Sequence, residues 1–173
     1  MNYSRLAYFP KINAYFEKYN MHVRKYDGNT LERTASYNYS YDYYDNSTIA
    51  ISPGNSRIFT TVNQELLQLS ADNLSVIRKD TLTTSNDGLK RYSVMQIIND
   101  SLMYISYNAR LAIYNYLSGQ IIHYIPLNGS DGAPFHVTIS KDGAYVANCG
   151  QGKLTVYRNN DNTWLEQIYQ STG

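Results

Sequence analysis

Cysteine occurs once in these 173 residues, tryptophan once, histidine three times and proline four times. Each scarcity excludes something. The single cysteine, Cys149, rules out an intramolecular disulfide and any cysteine-rich zinc site. It stands in the alternating stretch Tyr145-Val-Ala-Asn-Cys149, which predicts a buried, inert thiol. His22, His123 and His136 show no metal-ligand spacing from one another or from an acidic pair. An excess of one charge is missing too. With 15 Lys and Arg against 14 Asp and Glu, nothing points to a nucleic-acid or membrane-surface partner. No apolar run is long enough to span a bilayer. Met1-Asn-Tyr-Ser-Arg5 lacks the charged-then-apolar order of a signal peptide. The sequence leaves the compartment open between a bacterial extracytoplasmic space, if a signal peptide has been removed, and the cytoplasm otherwise. Gly-rich phosphate loops, G-x-S-x-G elbows and HExxH helices are likewise absent.

What is present is tyrosine and a repeat. Tyr makes up 19 of the aromatic residues, against 4 Phe and 1 Trp. Tyr suits strands by propensity, and binding surfaces because a flat apolar ring ends in a polar tip. Four apolar segments recur: Val23 in MHVRKYDGNTL, Leu67 in LLQLSADNLSVI, Leu111 in LAIYNYLSGQII and Leu154 in LTVYRNNDNTWL. By subtraction their separations are 44, 44 and 43 residues. A period in the low forties filled with short strands marks β-propeller blades.

The last cycle is the clearest. Val137-Thr-Ile-Ser alternates like a half-buried strand, and Lys141-Asp-Gly143 makes a hairpin turn. Ala144 to Cys149, Leu154 to Tyr157 and Trp164 to Tyr169 complete a four-stranded meander. The second cycle reads Thr48 to Ile51, Arg57 to Val62, Leu66 to Leu69 and Leu74 to Arg78. The third reads Val94 to Ile98, Leu102 to Ser106, Leu111 to Tyr114 and Gln120 to Ile125. The first reads Leu6 to Phe9, Ile12 to Lys18, Met21 to Tyr26 and Thr30 to Arg33, with Pro10 where a Gly-type turn is expected. No segment sustains a 3.6-residue period, so the chain is all-β, with blades at about 3–35, 47–80, 93–127 and 134–170 in a single propeller domain over residues 1–173.

The stretch Pro134-Phe-His-Val-Thr-Ile-Ser-Lys-Asp-Gly-Ala-Tyr-Val-Ala-Asn148 resembles the opening strands of WD-repeat-like and YVTN-type propeller proteins, with their S-x-D-G turn and Y-V-a-N strand. Ile51-Ser-Pro-Gly-Asn55 stands in for that turn in the second cycle, while the Trp-Asp and Gly-His pairs of true WD repeats do not occur. Most such rings close with about six to eight blades and some with four. No strand is held over to latch a ring. The four cycles then form part of a larger propeller, the arrangement favoured here, or a four-bladed ring, or half of an eight-bladed pair of copies.

In such a blade, the turns between strands two and three share one rim with the inter-blade loops, here about Ala35 to Ser47, Thr83 to Tyr92 and Asn128 to Pro134. The first of these contains Tyr37-Asn-Tyr-Ser-Tyr-Asp-Tyr-Tyr-Asp45. Extended backbone there would set Tyr37, Tyr39, Tyr41 and Tyr43 on one side. Such a stripe suits a sugar ring, a peptide or a partner protein, or else packs against a neighbouring blade. Tyr92, Tyr107 and Arg110 fall on the same inferred rim, with Arg91 and Lys153 beside them. His136 matches a position where propeller lactonases carry a functional histidine, but the acidic ligands of such a site are not found. The sequence therefore predicts a non-catalytic module without cofactor or metal that binds a protein, peptide or glycan, paired with a second copy or with the remaining blades of a larger chain. A propeller-type lactonase or hydrolase with a channel metal is the alternative. A ligand-free structural part of a larger sensor or surface protein is a third.

Overall fold

The computed structural model describes residues 4–19, 21–40, 48–54, 56–62, 65–81, 95–107, 110–126, 136–150, 153–160 and 164–171. Among the described residues, sixteen strands form four separate four-stranded antiparallel sheets, each built from consecutive strands in chain order. The first blade holds β1 (Ser4–Phe9), β2 (Ala14–Tyr19), β3 (His22–Asp27) and β4 (Arg33–Asn38). The second holds β5 (Ile49–Ile51), β6 (Arg57–Val62), β7 (Glu65–Ser70) and β8 (Val76–Thr81). The third holds β9 (Met95–Ile97), β10 (Leu102–Tyr107), β11 (Arg110–Asn115) and β12 (Gln120–Pro126). The fourth holds β13 (His136–Ile139), β14 (Tyr145–Gly150), β15 (Lys153–Asn160) and β16 (Trp164–Gln170). These meanders are β-propeller blades. They group into two compact units, Met1–Arg91 and Tyr92–Gly173, of two blades each.

Register fixes which residues are equivalent. Val23 lies opposite Lys18, Leu111 opposite Ser106 and Leu154 opposite Cys149, each one pair in from the hairpin turn. In the second blade that place belongs to Leu66, opposite Thr61, and not to Leu67. The uniform 44-residue spacing hid a slip of one residue, and in a strand one residue means the opposite face. Leu67 is nonetheless buried, because both faces of β7 are apolar and covered. Leu154, expected to be buried, is 41% exposed. It belongs to the face of β15 opposite Thr155 and Tyr157, which are the residues turned into the core.

One irregularity recurs in every blade. The pairing of the third and fourth strands shifts between Lys25 and Tyr26, Gln68 and Leu69, Ile113 and Tyr114, and Val156 and Tyr157. In each case the outer strand holds the extra residue, namely Thr34, Ile77, Ile122 and Ile168. Such a bulge increases local twist and bends the outer strand. The preceding turn is also shared by the first three blades. Asp27 accepts the amide N–H groups of Asn29 and Thr30 on Oδ1, and its carbonyl accepts from Leu31 at 3.0 Å. Ser70 with Leu74 and Asn115 with Gly119 repeat the five-residue loop. Its last residue is left-handed, φ 59° at Leu31 and Leu74 and 76° at Gly119. Gly takes that conformation freely, whereas a leucine pays roughly 1–2 kcal/mol. This turn explains a correction. The fourth strands expected at Thr30 to Arg33 and Leu74 to Arg78 begin instead at Arg33 and Val76.

Inside the first unit, Ala14, Phe16 and Val23 of the first blade pack against Ile58, Leu67 and Leu69 of the second. Lys25 Nζ reaches the carbonyl of Asp72 at 3.1 Å. Inside the second unit, Tyr104 and Ile113 of the third blade pack on Ile139, Val146 and Tyr157 of the fourth, and Gln96 Nε2 donates to the carbonyl of Ile139 at 3.2 Å. Blades are thus joined by apolar faces and stitched by side chains reaching a neighbour's backbone.

Two outcomes test this register. Leu66→Ala should cost about 2–5 kcal/mol in urea unfolding, as for a buried leucine, whereas Ile77→Ala, at the exposed bulge of β8, should cost under about 1 kcal/mol. Equal losses would contradict the frame. Burial also raises the Tyr104 phenol from 10.0 to about 12. The unfolded chain sheds that proton near pH 10 and the folded chain only near 12, so the stability it confers is full below pH 10 and declines as pH rises to 12. Tyr104→Phe should flatten that decline in unfolding experiments across this range.

Candidate functional site

The best-defined side-chain constellation at a blade end lies in the first unit and starts from strand alternation. Along β2, Ala14, Phe16 and Lys18 point inward while Tyr15, Glu17 and Tyr19 alternate with them. An ammonium group therefore occupies a core position, and Lys18 is fully buried. Burying a charge costs several kcal/mol unless it is solvated by protein groups. Lys18 Nζ donates to the carbonyl oxygen of Thr61 at 2.6 Å, near the end of β6, and sits 5.8 Å from the centroid of the Tyr39 ring. An ammonium over a tyrosine face gains about 0.5–2 kcal/mol, most when desolvated.

Tyr39 is fixed from two further sides. Its backbone N–H donates to the carbonyl of Met21 at 3.0 Å, beside the turn between β2 and β3. Its ring stacks on Tyr37 with centroids 6.4 Å apart and planes at 27°. Tyr37 lies in β4, opposite Val23, not in the loop where the sequence places it. The reason is the five-residue turn described above, which delays β4 and carries it through Asn38. Both rings are half-buried and pack on the core of the first unit. The segment after β4, the turn after β2 and the end of β6 thus meet at one end of this unit.

Tyr41, Tyr43 and Tyr92 lie outside the described residues, as does Arg91. Tyr107 and Arg110 pair directly across the β10–β11 hairpin in the second unit, with their side chains outside the described ones. Lys153 is exposed at the start of β15. The structure brings Tyr37 together with Tyr39, and Tyr107 with Arg110. Lys18 went unnoticed in the sequence, although a lysine on the inward parity of an apolar strand was a legible signal.

Several other polar groups have local partners. His22 Nδ1 lies 2.8 Å from Asn38 Oδ1 across β3 and β4. His123 is exposed on β12. His136 and Cys149 pair across β13 and β14, and their side chains lie outside the described ones. Asp142 accepts the Ser140 hydroxyl at 2.6 Å and the Ala144 amide at 3.1 Å, which hold its carboxyl below the usual range. Asp142 therefore serves its turn, with Gly143 at φ 73°. Among the described residues, no group of three His, Cys, Asp or Glu is placed to hold a metal ion.

No family model matches this sequence, and no curated protein matches it. Solved structures do. A candidate 6-phosphogluconolactonase from Bacteroides uniformis superposes with a TM-score of 0.72 at 16% identity, over 98% of this chain and 54% of that one. Hydrazine synthase of Kuenenia stuttgartiensis gives 0.73 at 12% identity, over 95% and 47%. At such identities the likeness is one of fold. The chain spans about half the length of each.

If the Tyr37 ring is part of the core as well as of the rim, Tyr37→Ala should cost about 1–3 kcal/mol in urea unfolding. A loss below about 0.5 kcal/mol would mark the ring as a surface group only.

Proposed function

We propose that the chain is a non-catalytic β-propeller binding module that takes a protein, peptide or glycan on its loop rim. Tyr37, Tyr39, Tyr41, Tyr43, Tyr92, Tyr107 and Arg110 supply the contacts in this reading. The observation that carries it is the stacked Tyr37–Tyr39 pair, held from below by Lys18 and from the side by the Met21 carbonyl. Aromatic anchors that are already ordered lose little rotamer freedom on binding and commonly dominate interface energy. Tyr41 and Tyr43 continue the same alternation in the sequence. The Ser140 to Asn148 hairpin supports a loose kinship with YVTN-type propellers, because Ser140, Asp142 and Gly143 stand in the S-x-D-G order and Ser140 bonds Asp142 and Tyr145 within the turn. Residues 1–173 then act as one propeller-forming domain.

One observation favours a second reading. The likeness to a candidate 6-phosphogluconolactonase makes a lactonase or hydrolase with a channel metal the alternative. Fold similarity alone is a weak guide to chemistry. Elemental analysis of the purified protein separates the two, since stoichiometric bound metal would favour the enzyme.

Glycan and peptide arrays probed with the intact chain, followed by titration of the best hits against Tyr39→Ala, test the binding reading. A central anchor should weaken affinity about 30-fold, equivalent to about 2 kcal/mol. Unchanged affinity with a lowered melting temperature would overturn the assignment of Tyr39 and move the search to Tyr92, Tyr107 and Arg110.

A further inference from the structure

Register makes one cross-strand row comparable in all four blades. In the second blade it runs through Ile51, Ile58 and Leu69, in the third through Ile97, Met103 and Tyr114, and in the fourth through Ile139, Val146 and Tyr157. The second and third members of these rows are all buried. The same row of the first blade reads Tyr8, Tyr15 and Tyr26. It lies on the face opposite Phe16 and Val23, the residues that pack on the second blade. None of the three phenols is buried: Tyr8 is 47% exposed, and Tyr15 and Tyr26 are half-buried. Core packing therefore does not account for tyrosine at all three places.

Tyr8 and Tyr15 are in ring contact, with centroids 4.6 Å apart and planes at 35°. That separation is at the close end of the range for aromatic pairs, whereas Tyr37 and Tyr39, at 6.4 Å, lie near its far end. The contact is fixed from both sides. Direct pairing of β1 with β2 places the two residues opposite each other. The Tyr8 hydroxyl also donates to Asn13 Oδ1 at 2.9 Å. Asn13 is itself set by its turn, at φ 44°, with its carbonyl accepting the Gly28 amide at 2.8 Å. The third phenol of the row is committed elsewhere: Tyr26 donates to Glu17 Oε2 at 2.8 Å, which Arg24 Nη1 also reaches at 3.5 Å. Tyr8 and Tyr15 thus combine close approach, a held geometry and access from solvent.

We propose that Tyr8 and Tyr15 form an oxidative coupling site, joined ring to ring when the chain meets hydrogen peroxide and a haem peroxidase. Each phenol gives up one hydrogen, as a proton and an electron, and becomes a phenoxyl radical. The two radicals join through the ring carbons beside their oxygens, making one carbon–carbon bond. The hydrogen on each joined carbon then moves to the oxygen and restores both phenols. One hydrogen peroxide takes up the two electrons and two protons and leaves as two waters. The product ties β1, the end strand of its sheet, to β2. A cross-link of this kind restricts the unfolded chain as a disulfide does, in a protein whose single cysteine cannot make one within the chain. This inference is independent of the rim reading.

The test treats the intact folded chain with limiting hydrogen peroxide and a haem peroxidase, then digests with trypsin and reads the peptides by mass spectrometry. Only material that still runs at the 19.8 kDa chain mass on a denaturing gel is taken, so that links between chains are excluded. Tyr8 and Tyr15 fall in separate tryptic peptides, Leu6 to Lys11 and Ile12 to Lys18. These two should appear joined, lighter than their sum by two hydrogens. Tyr8→Phe and Tyr15→Phe keep the ring contact and should each abolish the joined peptide, whereas Tyr26→Phe should leave it. In urea the joined peptide should fall away relative to the coupling of free tyrosine in the same solution, because the fold and not the short separation in sequence brings the rings together. Failure of the folded chain to give the joined peptide, its persistence in Tyr8→Phe, or an equal relative yield in urea would each overturn the proposal.

Discussion

A four-stranded meander has two faces and can bury neither by itself, and this constraint shapes every part of the molecule. Strand alternation puts apolar residues on both sides of β6 and β7, so the second blade needs a cover on each. Ala14, Phe16 and Val23 provide one cover inside the first unit, and Tyr104 with Ile113 provide the equivalent in the second. The repeated bulge belongs to the same constraint. One extra residue on each outer strand adds twist at the same place in each blade, so that successive faces keep a common shape.

The rim follows from the blades. Lys18 is inward because β2 alternates, and its ammonium therefore has to find oxygen and ring partners at the end of the sheet. Those partners are the Thr61 carbonyl at the end of β6 and the Tyr39 ring after β4, and the Met21 carbonyl in turn holds the Tyr39 backbone. A buried cation that needs several neighbours gives this end a defined arrangement at some cost in desolvation. An ordered aromatic pair supported in this way is suited to recognition, whichever ligand class it takes.

The sequence made the repeat, the all-β class and most strands legible because period-2 alternation and Gly- or Asn-rich turns are local signals. Arg57 to Val62 is a strand with the expected ends, and Trp164 extends to Gln170 instead of Tyr169. What escaped notice was non-local or unusual. The left-handed Leu31 and Leu74 sit where a glycine would have announced the turn, as Gly119 does in the third blade, so two outer strands were placed too early. Leu67 replaced Leu66 as the repeat marker because adjacent leucines are indistinguishable by spacing, and only register tells their faces apart. Exposure of Leu154 depends on what lies beyond the fourth blade, which no local pattern contains. The candidate site was harder still: Tyr37 and Tyr39 were visible as a stripe, but their stacking and the role of Lys18 depend on contacts between blades.

Hydrogen–deuterium exchange resolved to single amides tests the shared blade register most directly. The paired amides of β2 and β3, β6 and β7, β10 and β11, and β14 and β15 should exchange slowest, because these are the central strands of each blade. Thr34, Ile77, Ile122 and Ile168 should exchange faster than the outer-strand residues whose amides pair with the third strand, since a bulge interrupts the ladder at each of them. Slow exchange at all four bulge positions, or protection that follows no common frame across the four cycles, would contradict a structure built from four equivalent blades.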